Sequence, residues 1–141
     1  MNNTAVKQLS IFIENKRGEL TDITTLLSNN NVSLKSINLV DSADFGILRI
    51  IVDDSALAKK IIDDAGFSLK ITEVIAVEIE NHVGSFNDVV STLSDNNINI
   101  EYTYTVSNAN FGAFIFKVNQ SNFNEACKLL RENNIKLLEK I

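Results

Sequence analysis

The chain contains the same passage twice, and that repeat limits the folds open to it more than any other feature. Ile13-Glu14-Asn15-Lys16-Arg17-Gly18-Glu19-Leu20 returns 66 residues later as Ile79-Glu80-Asn81-His82-Val83-Gly84-Ser85-Phe86. In each copy an apolar run closes on Glu-Asn, two variable residues follow, and a glycine opens a stretch of helical spacing. That spacing carries Leu20, Ile23 and Leu27 in the first copy and Phe86, Val89, Val90 and Leu93 in the second. A strand that stops at asparagine and re-enters a helix through glycine leaves backbone N–H groups unpaired. Such groups sit at the positive end of the helix dipole and suit the carboxylate of a small ligand.

The remaining elements repeat around this passage. After a short start over residues 1–6, Lys7–Glu14 alternates Leu9, Ile11 and Ile13 as a strand does. A helix over Glu19–Asn29 ends in Asn29-Asn30-Asn31, residues that tolerate left-handed geometry. Val32–Val40 and Phe45–Val52 read as a hairpin about Asp41-Ser42-Ala43-Asp44. Asp53-Asp54-Ser55 offers caps for a helix carrying Leu57, Ile61, Ile62 and Ala65, which Gly66 stops before a short strand over Phe67–Ile71. Only Thr72-Glu73 separates this from the restart at Val74–Glu80.

The second copy then follows the first. Asp95-Asn96-Asn97 answers the first asparagine turn, and Ile98–Val106 is the next strand. Ser107-Asn108-Ala109-Asn110 and Phe111-Gly112 answer the first hairpin turn and its following Phe45-Gly46. The register of 66 holds to Ser121, after which two extra residues shift it to 68, and Ile135–Glu139 closes the copy.

Each copy thus reads strand-helix-strand-strand-helix-strand in about seventy residues. Both of its helices have one apolar stripe, so both can lie on one face of a four-stranded sheet. The fold class expected is α+β, two ferredoxin-like βαββαβ units in tandem with domains 1–72 and 73–141. A unit of this size is marginal alone, and its bare edge strands invite pairing. The sheets are therefore expected to join side by side into eight strands, with helices on one face.

Composition removes several function classes. A net charge of −5 and a pI near 4.8 leave no basic surface for a phosphate backbone, so nucleic acid is excluded as a partner. No apolar run reaches the roughly 20 residues of a membrane span, and the N-terminus lacks the pattern of a signal peptide. The expected location is cytoplasmic. His82 and Cys127 are the only histidine and cysteine, too few for a metal site, a catalytic triad or a Cys/His nucleophile. Cys127 shares an apolar helical stripe with Phe123, Ala126 and Leu130 and reads as a packed core thiol. Neither a cofactor nor enzymatic activity is expected.

The element order, the glycine turn after the first strand and the strand that follows each asparagine-rich helix end resemble the ACT domain, over nearly the whole chain and in two consecutive copies. The resemblance implies a regulatory module that binds amino acids. Glu14-Asn15-Lys16-Arg17-Gly18-Glu19-Leu20 is similar to the turn of the serine-sensing domain of phosphoglycerate dehydrogenase. That family commonly places proline before the glycine. Arg17 and Val83 stand there in this chain, which has no proline. By the same resemblance Asn15 and Asn81 hold the ligand head group, and a second asparagine, contributed by the neighbouring domain, maps to Ser33 and Asn99. Lys16, Arg17, Gly18, Glu19 and Leu20, with His82, Val83, Gly84, Ser85 and Phe86, complete the expected binding positions.

Other readings of these residues stand beside this one. Asparagine is a favoured helix N-cap, so Asn15 and Asn81 could serve only as caps. Lone exposed basic residues such as Lys16, Arg17 and His82 are commonly plain surface. The expectation is an amino-acid-binding sensor with no catalytic domain attached, whose ligand lies between the two units. Its expected partners are a small amino acid, a separately encoded enzyme and a second copy of the chain. The alternative is a protein interaction module that binds no small ligand.

Overall fold

A computed structural model describes residues 5–42, 44–107 and 112–141. The first half contains β1 (Ala5–Glu14), α1 (Glu19–Asn29), β2 (Leu34–Ser42), β3 (Phe45–Val52) and α2 (Ser55–Asp64). After β4 (Ser68–Glu78) come α3 (Ser85–Asp95), β5 (Ile100–Ser107), β6 (Gly112–Val118), α4 (Phe123–Glu132) and β7 (Leu137–Leu138). Contacts divide the chain into two compact units, residues 7–72 and residues 73–141 with those up to Val6. The expected start over residues 1–4, the turn residue Ala43 and the second hairpin turn at 108–111 lie outside the described residues.

In the unit of residues 7–72, alternation along β1 turns Leu9, Ile11 and Ile13 to one face. They lie opposite Ile50, Leu48 and Gly46 of antiparallel β3. Strand β2 pairs with the other side of β3, setting Ile37 against Ile50 and Leu39 against Leu48. The stripes Ile23/Leu27 of α1 and Ala58/Ile62 of α2 close over this face, with Leu69 and Ile71 of β4 at its margin. Each wholly buried Leu or Ile contributes about 1.5–3 kcal/mol.

The unit of residues 73–141 repeats the plan. Ile75 and Val77 of β4 lie opposite Phe116 and Phe114 of β6, and β5 pairs with the far side of β6. Val89 and Leu93 of α3, with Phe123, Ala126, Cys127 and Leu130 of α4, cover that face. The antiparallel βαββαβ order of each half is the ferredoxin-like arrangement expected. Cys127 is buried in this second core, as its stripe implied.

Among the described residues, α1, α2, α3 and α4 end in one device. The residues Asn31, Gly66, Asn97 and Asn134 have φ of 62°, 91°, 61° and 61°. The following N–H groups, of Val32, Phe67, Ile98 and Ile135, reach back to the carbonyls of Leu27, Ile62, Leu93 and Leu130 at 2.9–3.3 Å. This closes each helix end and turns an apolar residue into the core.

The strand bounds bring corrections. No break occurs at Thr72-Glu73, because β4 runs unbroken from Ser68 to Glu78. The passage has no glycine or proline to stop it, and every residue in it can extend. The final strand is two residues long, Leu137–Leu138, instead of Ile135–Glu139, because the closure of α4 still occupies Ile135. The two extra residues of the second copy are absorbed by a 3-10 turn at Gln120–Asn122 ahead of α4.

Candidate functional site

The two glycine turns have the same backbone. Gly18 (φ 95°, ψ −19°) and Gly84 (φ 93°, ψ 0°) occupy the N-cap positions of α1 and α3 in the left-handed region. In the first turn Lys16 N–H donates to the Glu14 carbonyl at 2.9 Å, and Asp22 N–H to that of Gly18 at 2.9 Å. In the second, His82 N–H donates to Glu80 at 2.9 Å and Asp88 N–H to Gly84 at 2.9 Å. An L-residue costs about 1–2 kcal/mol at such a φ, which is why glycine is needed here.

Neither helix start has a side-chain cap. By contrast, α2 is capped by Asp54, whose carboxylate accepts the Leu57 N–H at 3.1 Å. Asn15 and Asn81 therefore do not act as N-caps. Both are exposed, and neither side-chain amide has a partner among the described residues. Asn15 is fixed instead through its backbone, which donates to the Asp44 carbonyl at 3.0 Å. Among the described residues the N–H groups of Arg17, Gly18, Leu20 and Thr21 find no acceptor, nor do those of Val83, Gly84, Phe86 and Asn87. A Cβ at either glycine would meet no heavy atom within 4 Å.

The charges around each turn are balanced in the same way. Lys16 Nζ lies 3.0 Å from Glu14 Oε2, and His82 Nε2 lies 3.1 Å from Glu80 Oε2. The Glu14 carboxylate raises the pKa of Lys16. The imidazole of His82 also faces the Val83 carbonyl through Nδ1 at 3.1 Å. That carbonyl, then the Glu80 carboxylate, raise its pKa above the ordinary histidine value. Glu19 turns away from its own helix, its carboxylate accepting the Glu14 N–H at 3.2 Å. Arg17 is exposed, and Val83 is wholly so.

The turns differ in their apolar neighbours. Phe86 stacks on Phe116 at a centroid distance of 5.6 Å and meets Phe114 edge-on at 4.9 Å. The first unit has Leu20, Leu48 and Ile50 at the corresponding positions. Beside the second turn a cleft of about 540 Å³ is lined by Glu80, His82, Ser85, Asp88, Thr92 and Lys136, among others. Sequence reasoning did not mark Asp88, Thr92 or Lys136, because helical spacing identifies a polar face without showing what it borders.

Ser33 and Asn99 do not join the turn of their own unit. Ser33 precedes β2 and exchanges hydrogen bonds with Asp53, its N–H reaching Oδ1 at 3.0 Å. The turn adjoins the other end of β2, where Ser42 pairs with Phe45 and Phe45 with Glu14. Asn99 is likewise next to the Ile100/Val118 pair, whereas Ile79 near the second turn bonds to Gly112. In each unit the sheet length separates the two expected asparagine positions.

A family model described as an ACT domain pair matches residues 4–140. The crystal structure of protein BT0572 from Bacteroides thetaiotaomicron is 37% identical, with a TM-score of 0.89, covering 97% of this chain and 94% of that one. The ligand-free regulatory subunit of aspartate kinase from Thermus thermophilus shares the fold at 9% identity, with a TM-score of 0.61 and coverage of 89% and 91%. The corresponding subunit from Thermus flavus does so at 12% identity and 0.61, covering 89% and 90%. The comparison with curated proteins returns no match. Two copies of one βαββαβ unit, each opening its first helix on a glycine turn, and the match over residues 4–140 give one conclusion: the chain belongs to the ACT domain pair family.

Proposed function

We propose that this chain is a regulatory module that binds a free α-amino acid at its glycine turns and performs no chemistry itself. The observation that carries the reading is the pair of helix starts with left-handed glycine N-caps and no side-chain cap. They leave N–H groups without a backbone acceptor, which a carboxylate can take. The acids near each turn, Glu14 and Asp22 in one and Glu80 and Asp88 in the other, suit the α-ammonium group of the same ligand. A zwitterion satisfies both sets, whereas a simple anion meets the acids unpaired.

Asn15 and Asn81 would orient the head group, with Lys16 and His82 exchanging their glutamate partners for the ligand carboxylate. Domains 1–72 and 73–141 would each carry one turn. Binding at about 1 μM to 1 mM corresponds to about −8 to −4 kcal/mol, within reach of a few charge-assisted hydrogen bonds. The occupied module would act on an enzyme encoded separately, in the cytoplasm. The regulatory subunits of aspartate kinase among its structural neighbours accord with such an arrangement.

A thermal-shift panel of the common amino acids, followed by calorimetry on the hits, tests the reading. At least one amino acid should raise the melting temperature and lose its effect in Asn15→Ala or Asn81→Ala. A flat response to the whole panel would leave the interaction-module alternative in its place.

A further inference from the structure

We propose that Glu19 is a built-in competitor for the first glycine turn, which makes the second turn the tighter site for an amino-acid carboxylate. This ranking rests on the reading above that the turns bind amino acids. Glu19 is the first residue of α1, and its Oε1 accepts the Glu14 N–H at 3.2 Å. Glu14 is the last residue of β1, so the contact spans the turn from helix to strand. A carboxylate of the chain itself is therefore already seated on a backbone N–H here. It is the same chemical group that an amino acid would bring.

The second turn keeps the backbone of this arrangement without the carboxylate. Ser85 stands where Glu19 stands. Its N–H donates to the His82 carbonyl at 3.3 Å, as that of Glu19 does to Lys16 at 3.4 Å. The Ser85 side chain is too short to reach back across the turn. Ile79 N–H goes to the Gly112 carbonyl at 3.0 Å, but the next N–H, of Glu80, has no acceptor among the described residues. Glu80 is exposed, and both it and Ser85 line the cleft of about 540 Å³. A carboxylate arriving there gains a charge-assisted bond to a vacant donor. At Glu14 it must first displace a rival tethered five residues away, whose effective concentration is high. Arg17 adds a positive charge to the first turn, but it is exposed, where a charge contributes little.

Backbone-amide NMR on the isotope-labelled full chain, titrated in turn with each of the common amino acids, tests this. Amides around Gly84, that of Glu80 included, should respond at concentrations on the order of tenfold lower than those around Gly18. Glu19→Ser should tighten the first turn by about that factor, and Ser85→Glu should weaken the second by a similar one. Glu19→Gln, which keeps an acceptor and loses the charge, should fall between wild type and Glu19→Ser. A further readout needs no added amino acid. In the free protein the Glu14 amide should exchange with solvent more slowly than the Glu80 amide, and Glu19→Ser should remove the difference. Equal affinities at the two turns, or a first turn unmoved by Glu19→Ser, would overturn the ranking and leave amino-acid binding standing. No response at either turn to any amino acid would overturn both. A Glu14 amide that exchanges as fast as that of Glu80 would remove the resident carboxylate, and the ranking with it.

Discussion

Glu80 holds the imidazole of His82 with Oε2 3.1 Å from Nε2, in the position where Glu14 holds Lys16 in the other unit. One turn thus carries a permanent cation and the other a cation that titrates. Both ring nitrogens of His82 face acceptors, so the doubly protonated ring satisfies both contacts. Its folded pKa is raised, so its contribution to stability is fully present below the unfolded value of 6.5 and fades as pH rises through the folded value. NMR titration of the single histidine should show a midpoint above the unfolded value. Glu80→Gln should bring it down. A midpoint unmoved by that substitution would remove the carboxylate as a cause.

The glycine turns yield a controlled comparison. Gly18 and Gly66 both have positive φ and open space around a built Cβ, at 95° and 91°. Gly18→Ala and Gly66→Ala should therefore lower stability by similar amounts, about 1 kcal/mol each. Only Gly18→Ala should weaken amino-acid binding at its turn. Equal binding by the two variants in calorimetry would separate the ligand from this turn.

Capping separates the helices in the same manner. Asp54→Ala should cost about 1 kcal/mol, since its carboxylate accepts the Leu57 N–H. Asn15→Ala should stay within about 0.5 kcal/mol of wild type in urea denaturation, because that side chain caps nothing. A larger loss would mean that the amide supports the fold.

The thiol of Cys127 is enclosed by the second core. It should react with a thiol reagent only as fast as the unit opens, and Cys127→Ser should cost about 1–3 kcal/mol by burying a hydroxyl. Rapid labelling of the native protein would contradict this packing.

Much of this architecture is legible in the repeat. The helix over Glu19–Asn29 and the left-handed asparagines at 31 and 97 follow from local chemistry that short windows contain. Asn134 escaped notice because its counterpart in the first copy is Gly66, and the two share a backbone conformation but no side chain. The union of two strands into β4 was hidden for another reason. Periodicity restarts at Val74, yet the strand continues because nothing there forbids an extended backbone. At the turns, residue types identified the glycines but left the role of Asn15 open between cap and ligand contact. Only the N-cap geometry of Gly18 set the capping role aside. The opposite placement of Ser33 within its unit depends on strand direction, which no spacing in the sequence encodes.

The unbroken β4 strand has a consequence for how such a pair can change over generations. Modules strung on a loose tether can be lost, swapped or spliced to new neighbours without harm to what remains. Here the crossing point, Thr72-Glu73, lies inside one continuous strand. A break or insertion there would strip strand residues from both copies at once. Removing either copy would therefore cut short a strand on which the other also draws.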